Sequence, residues 1–295
     1  MKLIKVHYYN VISAGAGPVL SDVLKALSTQ QLEDRLKICG LQRLRLDEAQ
    51  ERIPADGSPT YWLMRFSKLR DDNWPGVLAH GHASKDLELE EDQFLSEETF
   101  AIYSPSGGKF AVQYNHFGVR APKIKEYFNA VVNHPEHGFI FSPVLTNEAL
   151  EKYGKKQIIT SIDATIEGVS DADIAIMEGS GIEAALKQSV EAKANGFKIN
   201  FWVDARVKKN KIDRGWVDRV IDGIKRRGGE NDSIIVTAKE NEEDAVEVIN
   251  LLEARKVSQY NADAIDRTIG RRYEPVQMYG LLEQSLRDWT AAEGK

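Results

Sequence analysis

Two apolar runs, FAIYSP and KFAVQYN, flank Ser106-Gly107-Gly108, and no other segment restricts the possible fold as strongly. Glycine pairs supply the positive-φ positions that a tight reversal needs, so the segment predicts an antiparallel hairpin. TYWLMRFSKLR predicts a further strand, closed by the Asp71-Asp72-Asn73 turn. KLIKVHYYNVI alternates through Leu3–Tyr9 and reads as a strand that Gly15, Gly17 and Pro18 break. RLKICGLQRLRL reads as two paired strands around Cys39-Gly40.

Helical spacing is clear at two places in this half and again at the end of the chain. Leu20, Val23, Leu24 and Leu27 share a face, as do Ile124, Tyr127, Phe128 and Val131 after Pro122. Val276, Tyr279, Leu282, Leu286 and Trp289 form a stripe on a last helix that starts near Pro275. Between them, FIFSPVL reads as a short strand. Near Leu150–Lys156 the texture changes. Downstream the pattern is strand (Gln157–Glu167), helix (about Asp173–Lys193), strand (Phe197–Ala205), helix (Ile212–Arg227), strand (Ser233–Ala238) and an apolar run at Val246–Leu252. The class is α+β, with mixed or antiparallel sheets in two domains. The first takes residues 1–154, with helix 274–295 packing back on it or onto a partner subunit. The second takes 155–273, and its interleaved helices and strands suggest a ferredoxin-like arrangement.

The 295 residues are 42% apolar and 28% charged, which fits a soluble globular protein. One cysteine, Cys39, excludes an intrachain disulfide and points to a reducing, cytoplasmic setting. Lys5, His7 and Asn10 interrupt the first apolar run, unlike a signal peptide. No segment reaches the roughly 20 apolar residues that span a bilayer, so direct membrane insertion is not expected.

The charge is unevenly placed. Between Arg206 and Arg227 stand nine basic and three acidic residues, a local +6 in a chain of −6. Asp86–Glu98 carries seven acids and no base. A basic run of this kind attracts polyanions, nucleic acid foremost. It also has a plain structural reading. Lys225-Arg226-Arg227 before Gly228-Gly229 suits a helix C-terminus, where cations offset the dipole and glycine supplies the left-handed cap. Asp218 and Asp222 stand four residues from Arg214 and Arg226. Arg271-Arg272 could extend such a surface.

The remaining motifs carry less. His134-Pro135-Glu136-His137 lacks the four-residue helical spacing of zinc sites, and His80-Gly81-His82 has no cysteine or glutamate at metal spacing. Gly179-Ser180-Gly181 lacks the lysine of a phosphate loop and reads as a helix break. Cys39 reads as a buried structural thiol. No catalytic residue, metal site or cofactor is expected.

In element order the chain resembles the phage lambda RexA-like family of bacterial and prophage proteins. The likeness is carried by KVHYYNV, by WLMRFSKLR with its Trp-Pro-Gly turn, by FAIYSPSGGKFAVQYNHFGVRAPKIKEYF, and by FKINFWVDA with the basic helix after it. Ser104 stands where family members commonly have aspartate, and Tyr114 replaces an arginine between Gln113 and Asn115. The resemblance implies a homodimer that binds double-stranded DNA without sequence preference, acting in phage exclusion. Its second domain would swivel, and ring-shaped DNA-encircling dimers of the RdgC type would be distant relatives. A membrane protein encoded nearby would be a partner. Carried onto this chain by charge and position, phosphate contacts fall on Arg206, Lys208, Lys209, Lys211, Arg214, Lys225, Arg226 and Arg227, with Arg271 and Arg272 as an extension. Two other readings stay open: a metal-dependent nuclease of abortive infection, and a protein-interaction sensor of a defence system.

Overall fold

The computed structural model describes residues 2–14, 16–70, 75–77, 80–90, 92–134, 137–204, 207, 210–229, 231–270 and 272–293. The turn expected at Asp71-Asp72-Asn73 lies outside them. The described residues form an α+β structure in two compact units. One comprises Met1–His7, Ile12–Phe139 and Ser258–Lys295, the other Tyr8–Val11 and Ile140–Val257. The division therefore falls near residues 140 and 257, away from the sequence-based boundaries at 154 and 273. Texture along a chain cannot show which distant segments pair.

The first unit is built on a sheet that grows from its central hairpin. Strands β1 (Leu3–Ala14), β2 (Leu36–Cys39), β3 (Gln42–Arg52), β4 (Tyr61–Arg70), β5 (Leu95–Ser104), β6 (Lys109–Tyr114) and β12 (Val257–Asn261) lie in the order β12-β1-β6-β5-β4-β3-β2. The β5–β6 reversal is a single 3-10 turn, Ser106–Gly108, in which Gly107 and Gly108 take φ of 79° and 62°. Strand β12 has no counterpart in the sequence reading. It is short and polar and pairs with β1, and just past its end Ala262 N–H donates to Lys2 O at 3.0 Å.

Helices cover both faces of this sheet. Phe66 pairs with Thr99 across β4 and β5, while its neighbour Arg65 pairs with Phe100, so Phe66 and Phe100 point to opposite sides. On the Phe66 side lie α1 (Leu20–Ser28) and α2 (Ala121–Val132). Phe66 meets Tyr127 and Phe128 edge-on at 5.6 and 5.8 Å. On the Phe100 side lies α7 (Pro275–Glu293), where Tyr279 meets Phe100 edge-on at 5.4 Å. The buried stripe of α7 is Met278, Tyr279, Leu282, Leu286 and Trp289, whereas Val276 is 75% exposed. The buried phenols keep partners: Tyr127 donates to Arg35 O and Tyr279 to Glu48.

In the second unit, β8 (Ile158–Glu167), β9 (Gly196–Trp202), β10 (Ser233–Lys239) and β11 (Glu247–Asn250) form a sheet of order β11-β10-β8-β9. All three pairings are antiparallel. Helices α3 (Asn147–Lys155), α4 (Asp171–Ile176), α5 (Glu183–Glu191) and α6 (Arg214–Arg227) accompany it. Ile162, Ala164 and Ile166 of β8 and Ile234, Val236 and Ala238 of β10 share one core with Leu186, Val217, Val220 and Ile224. Strand β7 (Gly138–Pro143) pairs with β1.

One sequence expectation needs correction here. The ferredoxin-like order, strand-helix-strand repeated twice, is absent: helices follow β8 and β9, and β10 and β11 adjoin as antiparallel neighbours. The helical stretch expected about Asp173–Lys193 is divided into α4 and α5 at the Gly179-Ser180-Gly181 break that the sequence marks. Gly179 and Gly181 between them have φ of 76° and 83°, which breaks the helical path.

Trp289 is 1% exposed under the first sheet. Trp289→Ala should lower stability by about 3–5 kcal/mol in urea unfolding, through lost transfer energy and the cavity left behind. A loss below 1 kcal/mol would mean that the helix does not hold this sheet face.

Candidate nucleic-acid interface

The basic run is organised around α6. Asp213 caps its start, accepting from Trp216 N–H at 2.7 Å, and Gly228 ends it in the left-handed region at φ 67°. A side chain at Gly228 would also strike the carbonyl oxygen of Phe141 on β7. Between these caps Val217, Val220, Ile221 and Ile224 point inward. The remaining positions hold the charges.

Those charges divide into committed and available groups. Arg227 is committed. Its side chain is 6% exposed and reaches both oxygens of Asp232, at 2.5 and 2.7 Å, and Asp173 at 3.1 Å. It also donates to the carbonyls of Glu167 and Gly168. Asp232 in turn accepts from Glu167 N–H. Burial pushes the Asp232 carboxyl up even with Arg227 beside it. Arg227 therefore leaves the set of phosphate-contacting residues: a helix end facing the core turned it inward. Arg214 is tied down as well. It donates to the carbonyls of Lys156 and Tyr153, stacks on the Tyr153 ring at 4.8 Å, and lies 3.7 Å from Asp218.

Lys211 is exposed ahead of α6. Arg219, Lys225 and Arg226 converge on one shallow hollow of about 390 Å³, walled by Ser142, Gly179 and Asp222. Arg226 is held by a bond to Glu178 O at 3.1 Å. The Gly179–Gly181 stretch reaches this wall because α6 has glycine at position 223, where a Cβ would come within 2.6 Å of Ser180 Cβ. Three cations around a hollow with one carboxylate form an anion-attracting surface suited to phosphate.

Arg206, Lys208, Lys209 and Arg271 lie outside the described residues. Arg272 belongs to the first unit and pairs with Glu98 at 3.0 Å. The sequence reading passes over Arg219, Ser142 and Gly179 as site residues. Arg219 stands inside the basic run about two helical turns before Arg226, and that spacing is the signal that could have included it. Ser142 and Gly179 give no local signal.

His134 and His137 stack with ring centroids 4.1 Å apart, and no group of three or more His, Cys, Asp or Glu among the described residues is placed to hold a metal ion. Cys39 is buried, which pushes its thiol up to about 11. No helix among the described residues is long and apolar enough to cross a membrane.

A family model matches residues 4–274, and the chain belongs to that family, a family of unknown function (DUF6731). A comparison with curated proteins found no match.

Replacing Arg227 with methionine would leave Asp173 and Asp232 buried without their counter-charge. Arg227→Met should cost about 3–5 kcal/mol in urea unfolding at neutral pH. The Asp232 carboxyl, which burial already pushes up, would lose the arginine that holds it down, so the penalty grows above the ordinary carboxylate range and shrinks as pH falls towards it. A loss under 1 kcal/mol, or one that does not depend on pH, would mean that the arginine is not the partner these acids need.

Proposed function

We propose that this protein binds nucleic acid non-specifically through phosphates, with duplex DNA as the ligand and α6 as the contact element. The observation that carries the reading is the convergence of Arg219, Lys225 and Arg226 on one hollow, with Lys211 exposed ahead of the same helix. Contacts of this type fix a backbone and read no base edges, so sequence preference should be weak. Each phosphate neutralised releases counterions, and affinity then falls steeply with salt. A homodimer would gain by avidity, since one bound hollow holds the second at high effective concentration.

The cellular setting is part of the same proposal. It rests on the likeness to RexA-like proteins in the strands and the hairpin described above. We place the protein in the cytoplasm, as a homodimer acting in phage exclusion, with a membrane-protein partner encoded nearby.

The test is equilibrium binding of several unrelated duplexes across a salt series. Affinities should agree within about threefold, and the logarithm of the binding constant should fall linearly with the logarithm of salt. In the triple variant Arg219→Gln, Lys225→Gln, Arg226→Gln that slope should weaken by about one for each phosphate no longer neutralised. A strong preference for one duplex, or an unchanged slope in the variant, would overturn the reading. Cleavage of plasmid DNA with Mg²⁺ or Mn²⁺ present would replace it with the nuclease alternative.

A further inference from the structure

The first unit holds a second concave site, independent of α6. A cleft of about 490 Å³ opens where the beginnings of β1 and β5 meet the end of β6 and the chain at residues 267–273. Clefts of about 300–1,000 Å³ suit small ligands, and this one falls inside that range.

Its charge is positive. Lys2, Lys5, Arg267 and Arg272 line it against Glu97 and Glu98. Both acids are already answered: Glu98 by Arg65 at 3.3 Å and Arg272 at 3.0 Å, Glu97 by Arg70 at 3.8 Å. The cationic charge of Lys2, Lys5 and Arg267 therefore has no opposing acid among the cleft's described residues.

Flat groups stand next to these charges. The guanidinium of Arg267 lies 3.5 Å from the centre of the Tyr273 ring, which holds it in one plane at little entropic cost. Gln113, only 5% exposed, spends its side-chain oxygen on Phe100 N–H at 3.3 Å. Its NH₂ group is a donor for a ring acceptor. Cations answer phosphate, and fixed planar groups with an amide donor answer a nucleobase. A bare anion would leave the aromatic wall unused, and an uncharged ring would leave the lysines unused.

We propose that this cleft binds a free nucleotide, a nucleoside mono- or diphosphate, with Lys2, Lys5 and Arg267 on the phosphates and Tyr273 and Gln113 around the base. The proposal does not depend on duplex binding by α6.

The experiment is isothermal titration calorimetry of the whole protein with the mono- and diphosphates of adenosine, guanosine, cytidine and uridine. Inorganic phosphate and the free nucleosides are titrated in parallel. At least one nucleotide should bind saturably with one-to-one stoichiometry. Phosphate alone and the matching nucleoside should each bind at least tenfold more weakly. Lys5→Gln with Arg267→Gln should weaken nucleotide binding at least tenfold, and Arg219→Gln should leave it unchanged. Should the double variant unfold, Lys2→Gln with Lys5→Gln, both exposed, gives the same reading with a several-fold loss. No saturation by any nucleotide up to millimolar concentration would overturn the proposal. So would equal affinity for inorganic phosphate, or full affinity retained in a folded variant.

Discussion

Arg227 organises the second unit. Its guanidinium joins the end of α6 to the carbonyls at the end of β8, to Asp173 on α4 and to Asp232 before β10. A charge buried this deeply is tolerable only with its partners in place. The helix end is therefore fixed in rotation as well as in position. Arg226 and Lys225, one and two residues earlier, are set against the hollow by the same constraint. The cationic hollow is a consequence of how its buried neighbour is anchored.

Legibility in the sequence followed the range of the interaction concerned. Local signals placed the Ser106–Gly108 reversal, the α1 stripe of Leu20, Val23, Leu24 and Leu27, and the glycine cap that ends α6. Each depends on residues a few positions apart. Strand β12 gave no such signal, because its reason for being a strand is β1, some 250 residues away in sequence. The break between α4 and α5 was legible in Gly179-Ser180-Gly181, since glycine readily takes the positive φ that ends a helical path. The second unit's strand order was hidden for the same reason as β12: pairing partners are chosen by packing across the sheet.

Charge was the least legible property. Counting placed nine cations between Arg206 and Arg227, and the fold sorts them by direction. Arg227 points inward, Arg214 lies on Tyr153, and Arg219, Lys225 and Arg226 face a common hollow. A net charge cannot make that distinction, because it depends on helical phase and on carboxylates such as Asp173 that lie far away along the chain. The cleft beside β1 was still harder to foresee. Lys2, Lys5, Gln113 and Arg267 come from three separated segments, and none stands in a motif.

The first unit's sheet draws its strands from both ends of the chain. Its β1 starts at residue 3, while β12 and the covering helix α7 come from residues 257–293. During synthesis the early strands leave the ribosome long before the segments that complete their sheet. The Phe100 side of the central hairpin must wait, uncovered, while residues 140–257 are made. Closing so long a loop also costs entropy that only late contacts can offset. Translation speed and chaperone access should therefore govern how much of this protein matures, even where the finished structure is stable.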